Sequence, residues 1–408
     1  LPQRPQSPKN FNSIYDRPMR SLLLLFSSIV MTCTSACAED STASKVRVAT
    51  FNIAMGLDHE GDMAAALSDG SDERLQQVSE ILQRVRPDIV LLNEFDYDPG
   101  IDAAGLFNRN YLGKAQRGRQ PIAYPYHYRA PVNTGIDSGL DLDRDGKTGG
   151  PGDAWGFGHF PGQYGMLILS RFPLIEDKTR TLQDFRWARM PGALRPVMEN
   201  GEPFHPDEIW AQLRLSSKSH WDVVFDVGGH ELHLLAHHPT PPVFDGLGDR
   251  NGRRNFDEIR LWRDYTDPQG APYIVDDNGK AGGLEPGARF VIAGDFNADP
   301  FDGDSVENAI GQLLEAPWIN SSYAPSSTGA IDAAREQGGI NGQQAGDPAY
   351  DTADFNDRYT GNLRLDYLLP SAGLNILGGA VFWPAYGLEA HDPSGVSDHR
   401  LVWLDIEL

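Results

Sequence analysis

Seven short, largely apolar runs, most of them interrupted or followed by a polar residue, constrain this chain more than any other feature. They are 46–53 (VRVATFNI), 88–92 (DIVLL), 165–171 (GMLILSR), 210–216 (WAQLRLS), 290–296 (FVIAGDF), 363–369 (LRLDYLL) and 401–408 (LVWLDIEL). Runs of this length read as strands, and apolar residues at odd and even positions alike mean that both faces are covered. Residues 223–236 read as a hairpin, VVFDV and ELHLLA about Gly228 and Gly229. Helical spacing occurs at 72–86, where Leu75, Val78, Ile81, Leu82 and Val85 share a face and Pro87 is the stop, and again at 256–265. Strands outnumber helices. The expected α/β architecture is therefore two packed sheets with helices outside, not one parallel sheet.

Polar residues at the strand ends carry the chemistry. Asn52 follows VATF, Glu94 follows IVLLN, and His237 and His238 follow LLA. Asp295 and Asn297 interrupt VIAGDFNADP, Asp366 lies within RLDYLL, and Asp398 and His399 precede the final run. Each alone reads as a turn, a cap or a structural histidine. Together, Glu94, Asp295, Asp366 and Asp398 would repel one another at a shared edge unless a cation joined them. Oxygen ligands of this kind suit Mg²⁺ or Mn²⁺ better than zinc. Of the two adjacent histidines only one can enter a site, because neighbours on a strand face opposite ways. His238 is favoured because it abuts the Pro-Thr-Pro-Pro turn, with His237 as the alternative.

In this order, Asn52, LLNEFD, LLAHHPTPP, GDFNADP, RLDY and SDHR resemble the motifs of the endonuclease/exonuclease/phosphatase superfamily, whose members are deoxyribonuclease-I-like. The resemblance spans 46–408. It implies a four-layer α/β sandwich with its site at one edge of two central β-sheets, and one catalytic domain from 39 to 408 with long loop insertions. It further implies Glu94 as the main metal ligand, assisted by Asn52 and Asp398, and Asp295 as the group that orients or deprotonates the attacking water. Asn297 and His238 would contact phosphate oxygens or the leaving group. His399, supported by Asp366, would be the general base or phosphate-binding histidine.

The segment SLLLLFSSIVMTC after Met19 and Arg20, followed by Ala36-Cys37-Ala38, reads as a signal peptide within 1–38, so a secreted or periplasmic location is expected. Both cysteines lie in it, which leaves the remainder without disulfide or thiolate chemistry. Four basic residues and one acidic residue leave with it, so the net charge of −22 becomes −25. Such acidity opposes broad attraction to DNA or anionic membranes. Nucleic acid is expected only as a substrate, no stable membrane association is expected after signal removal, and the chain is expected to be a monomer.

Outside the shared motifs, Asp141, Asp143 and Asp145 in DLDRDG resemble the start of a calcium loop, although position twelve is Gly152 and Asp153 comes one step late. Candidate substrate-binding groups are Lys218 and His220 in SSKSHWD, and Arg250, Arg253 and Arg254 in DRNGRR. The preferred function is an exported, divalent-metal-dependent phosphoesterase that hydrolyses soluble organic phosphates with metal-activated water. The alternatives are a secreted deoxyribonuclease-I-like nuclease and a non-catalytic binding protein on the same fold.

Overall fold

The computed structural model describes residues 45–246, 248–387 and 392–408. The expected signal segment and its boundary at 38 lie outside the described residues. Among the described residues no helix is long and apolar enough to cross a membrane.

The first run becomes β1 (Lys45–Met55), which pairs in parallel with β2 (Ile89–Phe95). Between them lie α1 (Asp62–Leu67) and α2 (Glu73–Val85). The Asp72 carboxylate caps α2 by accepting from the Leu75 N–H, and Arg86 ends it in a left-handed turn before Pro87. Around this pair stand β3 (Tyr126–Tyr128), β4 (Met166–Ser170), β12 (Asn375–Val381) and β13 (Val402–Glu407), in the order β12-β13-β1-β2-β4-β3.

The second sheet repeats the plan. Its central pair, β7 (His230–His237) and β8 (Phe290–Asp295), is parallel. With β5 (Arg180–Thr181), β6 (Trp221–Val227) and β11 (Asp366–Pro370) it has the order β11-β8-β7-β6-β5. A small ladder joins β9 (Ala353–Asp354) to β10 (Asn362–Leu363). The remaining helices are α3 (Ala103–Phe107), α4 (Asp207–Trp210), α5 (Arg250–Thr266), α6 (Gly311–Leu314) and α7 (Thr328–Gln337).

The strand period of two sorts the apolar runs into three layers of core. Val48, Leu91 and Leu404 of the first sheet meet Trp221, Phe225 and Val291 of the second. Their neighbours Phe51, Val90 and Leu92 turn outward onto Leu75, Val78 and Leu82 of α2. On the far side, Leu235 and Ile292 pack against Ile259 and Trp262 of α5 and Leu313 of α6. The result is the helix–sheet–sheet–helix sandwich.

Several segments depart from the sequence pattern. Residues 210–216 are not a strand. Pro206 starts the short α4, and only the backbone of Leu213 and Leu215 bonds to the neighbouring chain, at Trp187 and Phe185. The run at 363–369 breaks in two because the N–H groups of Arg364 and Leu365 bond to Asp299 and the Thr352 hydroxyl instead of a ladder. Strand β12, with paired glycines and little alternation, forms as the antiparallel partner of β13. Helix α5 begins at Arg250, well before its apolar spacing does, so DRNGRR runs into a helix and is not a loop.

This topology carries the polar strand ends to one edge. β1, β2, β7 and β8 finish there, while the antiparallel β11 and β13 start there. Gly294 makes the approach possible: a Cβ on it would stand 1.9 Å from the His237 carbonyl oxygen, at a φ of 151°. Gly294→Ala is therefore expected to cost about 2–4 kcal/mol, read as a lower urea midpoint at unchanged slope. An unchanged midpoint would show that this strand pair has room to separate.

Candidate active site

Asp295, at the end of β8 and 1% exposed, is where the site residues meet. Its Oδ2 accepts from Asn52 Nδ2 at 3.0 Å and lies 3.4 Å from His238 Nε2 and 3.5 Å from His399 Nε2. Its Oδ1 accepts from the Asn297 backbone N–H at 2.9 Å. The same Asn52 amide donates to Glu94 Oε1 at 3.2 Å, so one amide stands between two carboxylates. The Asn52 side-chain oxygen accepts from the Ala54 N–H at 3.0 Å. His399 Nδ1 donates to Asp366 Oδ2 at 2.8 Å, and the Thr352 hydroxyl donates to that same oxygen at 2.8 Å. The other Asp366 oxygen is buried without a partner. Donor atoms of Asp295, Asp366 and His399 all lie within 4.8 Å of one another.

Burial and charge set the protonation of this cluster. Burial raises the carboxyls of Glu94 and Asp295 above the ordinary range, with Lys218 opposing the shift at Glu94 and His399 opposing it at Asp295. Burial also opposes the charged form of His399, but Asp366 and Asp295 outweigh it and raise the imidazole to about 10. His238 goes the other way, held well below its usual value by burial and then by Lys218 and His399, so it is a neutral imidazole.

Supporting groups that the sequence reading passed over hold these residues in place. Asn93 is fully buried; its amide donates to the His237 carbonyl at 3.2 Å and its oxygen accepts from the Asp295 N–H at 3.1 Å. The Ser397 hydroxyl donates to the Asn52 carbonyl at 2.8 Å and accepts from the His399 N–H at 3.0 Å. Asp96, raised to about 7 by burial, accepts from the N–H groups of Leu57 and Tyr164 and so ties two loops beside Glu94. The only sequence signal for Asn93 and Asp96 was their place in LLNEFD. Glu94 and Asn297 both have positive φ, 55° and 49°, a strained backbone found where function over-determines position.

The other candidates are distributed unevenly. Asn297 donates from its side chain to the Pro239 carbonyl at 3.2 Å, beside Asp295. Asp398 is exposed; it accepts from the Ser397 hydroxyl at 3.3 Å, and its charge also acts on His399. His237 turns away from the site, 3.8 Å from Glu258, with its ring stacked on His220 at 3.5 Å. His220 is a correction to the substrate-binding expectation. It is fully buried, with Nδ1 on the Ser216 hydroxyl and Nε2 on the Glu258 carbonyl, so neither nitrogen is left for a ligand. Arg254 is likewise committed, to the carbonyls of Leu215, Trp155 and Arg214. Arg250 donates to the Leu142 carbonyl and stacks on Phe204, and Arg253 is half-buried on the first turn of α5. Lys218 is 6% exposed, and its charge acts on Glu94 and His238. Asp141, Asp143 and Asp145 do converge, with donor atoms within 4.8 Å of one another, and Asp141 keeps one buried oxygen unpaired.

Two face-to-face sheets that gather carboxylates, imidazoles and amides at one edge define a deoxyribonuclease-I-like α/β sandwich. The chain belongs to the endonuclease/exonuclease/phosphatase family, whose model matches residues 49–399. Among solved structures it is similar to an endonuclease/exonuclease/phosphatase from Beutenbergia cavernae DSM 12333, at 18% identity over 89% of this chain and 72% of that one, with a TM-score of 0.49. A family protein from Leptotrichia buccalis C-1013-b is similar at 12% identity over 89% and 100%, with a TM-score of 0.44. Sphingomyelinase C from Streptomyces griseocarneus is similar at 15% identity over 89% and 99%, also with a TM-score of 0.44. No curated protein matches the sequence.

The raised value at His399 has a direct test. A histidine whose pKa is higher folded than unfolded stabilises the fold below about 6.5, and that contribution fades as pH rises towards about 10. In Asp366→Asn the metal-free protein should show His399 titrating much closer to 6.5 by NMR, and should lose stability at pH 6 relative to wild type. A titration left near 10 would mean that Asp366 is not what holds the proton.

Proposed function

We propose that this protein is an exported, divalent-metal-dependent phosphoesterase that hydrolyses soluble organic phosphates. The observation that carries the reading is the convergence of Asn52, Glu94, His238, Asp295, Asp366 and His399 on one buried edge. The donor set fits Mg²⁺ or Mn²⁺: carboxylate oxygens predominate, an amide holds two of them together, and one Asp366 oxygen lacks a partner. Glu94 would hold the ion with Asn52, and Asp398 would complete the set. A cation there supplies charge neutralisation at the phosphate and acidifies water.

The chain's own residues do the rest. Asp295, with its carboxyl raised by burial, is suited to orient the attacking water and take its proton. His399, charged and oriented by Asp366, donates to a phosphoryl oxygen. His238, neutral and 3.4 Å from Asp295, presents Nε2 toward the reacting group. Asn297, on its strained turn, offers an amide to the same oxygens.

Substrate size follows from the surrounding charge. A net charge of −22 opposes broad attraction to a long duplex, and Arg250 and Arg254 spend donors on carbonyls of the chain itself. Export rests on the apolar segment and its Ala-x-Ala end. The Asp141–Asp143–Asp145 turn is proposed as a separate calcium site that orders its loop.

Purified protein stripped with chelator should regain hydrolysis of small phosphate esters when Mg²⁺ or Mn²⁺ is restored, with plasmid DNA left intact. Efficient nicking of DNA would make it a nuclease, and silence on all substrates would make it a binding protein. Glu94→Ala and His399→Ala should each lower turnover by about a thousand-fold or more while keeping a cooperative melt. Near-normal rates in either variant would refute the assigned site.

A further inference from the structure

We infer that Lys218 is a second positive centre of the active site, donating from its amine to a non-bridging oxygen of the reacting phosphate. The inference rests on the phosphoesterase reading and adds a catalytic residue to it.

A lysine only 6% exposed is uncommon unless it is paired. Here the amine makes no hydrogen bond or ion pair with any described residue. Its location is firmly set. The ladder pairs Trp221 with Ala236, so the residues just before Trp221 run beside the turn after His237, at the active-site edge. The Lys218 carbonyl accepts from the Asn133 N–H at 2.8 Å. Gly156 packs so closely on the Ser217 carbonyl that a Cβ there would sit 1.9 Å away.

One buried carboxylate links this loop to the catalytic histidine. Glu258 is fully buried; Oε1 accepts from the Ser217 N–H at 2.6 Å and Oε2 accepts from the Thr240 N–H at 2.7 Å. It therefore holds the residue before Lys218 and the residue two after His238. Glu258 also lies 3.8 Å from His237 and feels the charge of Arg254. Among carboxylates, Glu258 acts most strongly on the Lys218 amine, followed by Glu94 and Asp295 at the active-site edge. With its backbone held beside the turn after His237 and its charge acting on Glu94 and Asp295, the amine is assigned to the cleft at that edge.

The chemistry matches that place. Glu94, Asp295 and Asp366 put three acidic groups where an anionic ester must approach. An ammonium is a compact charge with three donors, suited to a phosphate oxygen, and burial strengthens that interaction. Beside Glu94 the same charge opposes the binding of a divalent cation. Lys218 should therefore help the anion and hinder the metal.

That opposition gives the test, made on the full chain with Lys218→Met and Lys218→Arg. Mg²⁺ affinity is measured by calorimetry on the substrate-free protein, and inorganic phosphate affinity at saturating Mg²⁺. Lys218→Met should bind phosphate about ten-fold more weakly or worse, as loss of a charge-assisted hydrogen bond implies. It should bind Mg²⁺ at least as tightly as wild type, and its kcat/KM on a small ester should fall by about a hundred-fold. Lys218→Arg should recover part of the phosphate affinity. A loss of both affinities together with a lowered Tm would overturn the inference in favour of a packing role. Unchanged phosphate affinity and kcat/KM would overturn it too, while leaving the phosphoesterase intact. A wild type that neither binds phosphate nor cleaves an ester would defeat the functional reading and this inference with it.

Discussion

Two sheets that touch only through apolar side chains could slide against each other, and a site shared between them would lose its geometry. Asn93 prevents this. From β2 of the first sheet its amide reaches the backbone of both central strands of the second, donating at His237 and accepting at Asp295. Both halves of a buried amide are satisfied, and breaking either contact would strand a polar group inside the protein. The pair fixes how far Asp295 stands from Asn52 and Glu94. Every distance in the cluster depends on that alignment.

The same edge concentrates like charge, and the protein meets the difficulty with neutral donors before it uses cations. Asn52 divides its amide between Glu94 and Asp295, Thr352 donates to Asp366, and backbone N–H groups reach Asp295 and Asp96. Such donors favour the ionised carboxylates without filling the space a metal or phosphate needs. The left-handed turns at Glu94 and Asn297 fit this picture, since strain persists only where surrounding contacts enforce it.

Much of this was legible in the sequence because burial on both faces writes itself into strand runs. The residues closing those runs then had to share an edge once β1–β2 and β7–β8 paired in parallel. What escaped was whatever lacks an apolar period. The paired glycines of β12 hid a strand defined only by its partner, and RNGRR gave no sign that α5 had begun. Orientation was harder still. Lys218 and His220 stand two apart in one polar stretch, yet the first makes no hydrogen bond to a described residue while the second is locked between Ser216 and Glu258. In SDH, likewise, the buried support proved to be Ser397 while Asp398 stayed at the surface.

Strand β13 does not sit at the rim of its sheet but between β12 and β1, with His399 just ahead of it. The bond from Ser397 to Asn52 joins residues 345 positions apart. In folding, β1 must therefore wait beside an unfilled slot until Val402–Glu407 pairs with it. Contacts of such long range form late and slowly. The step that fills that slot also brings Ser397 to Asn52, so this sheet and the polar cluster at its edge are completed together.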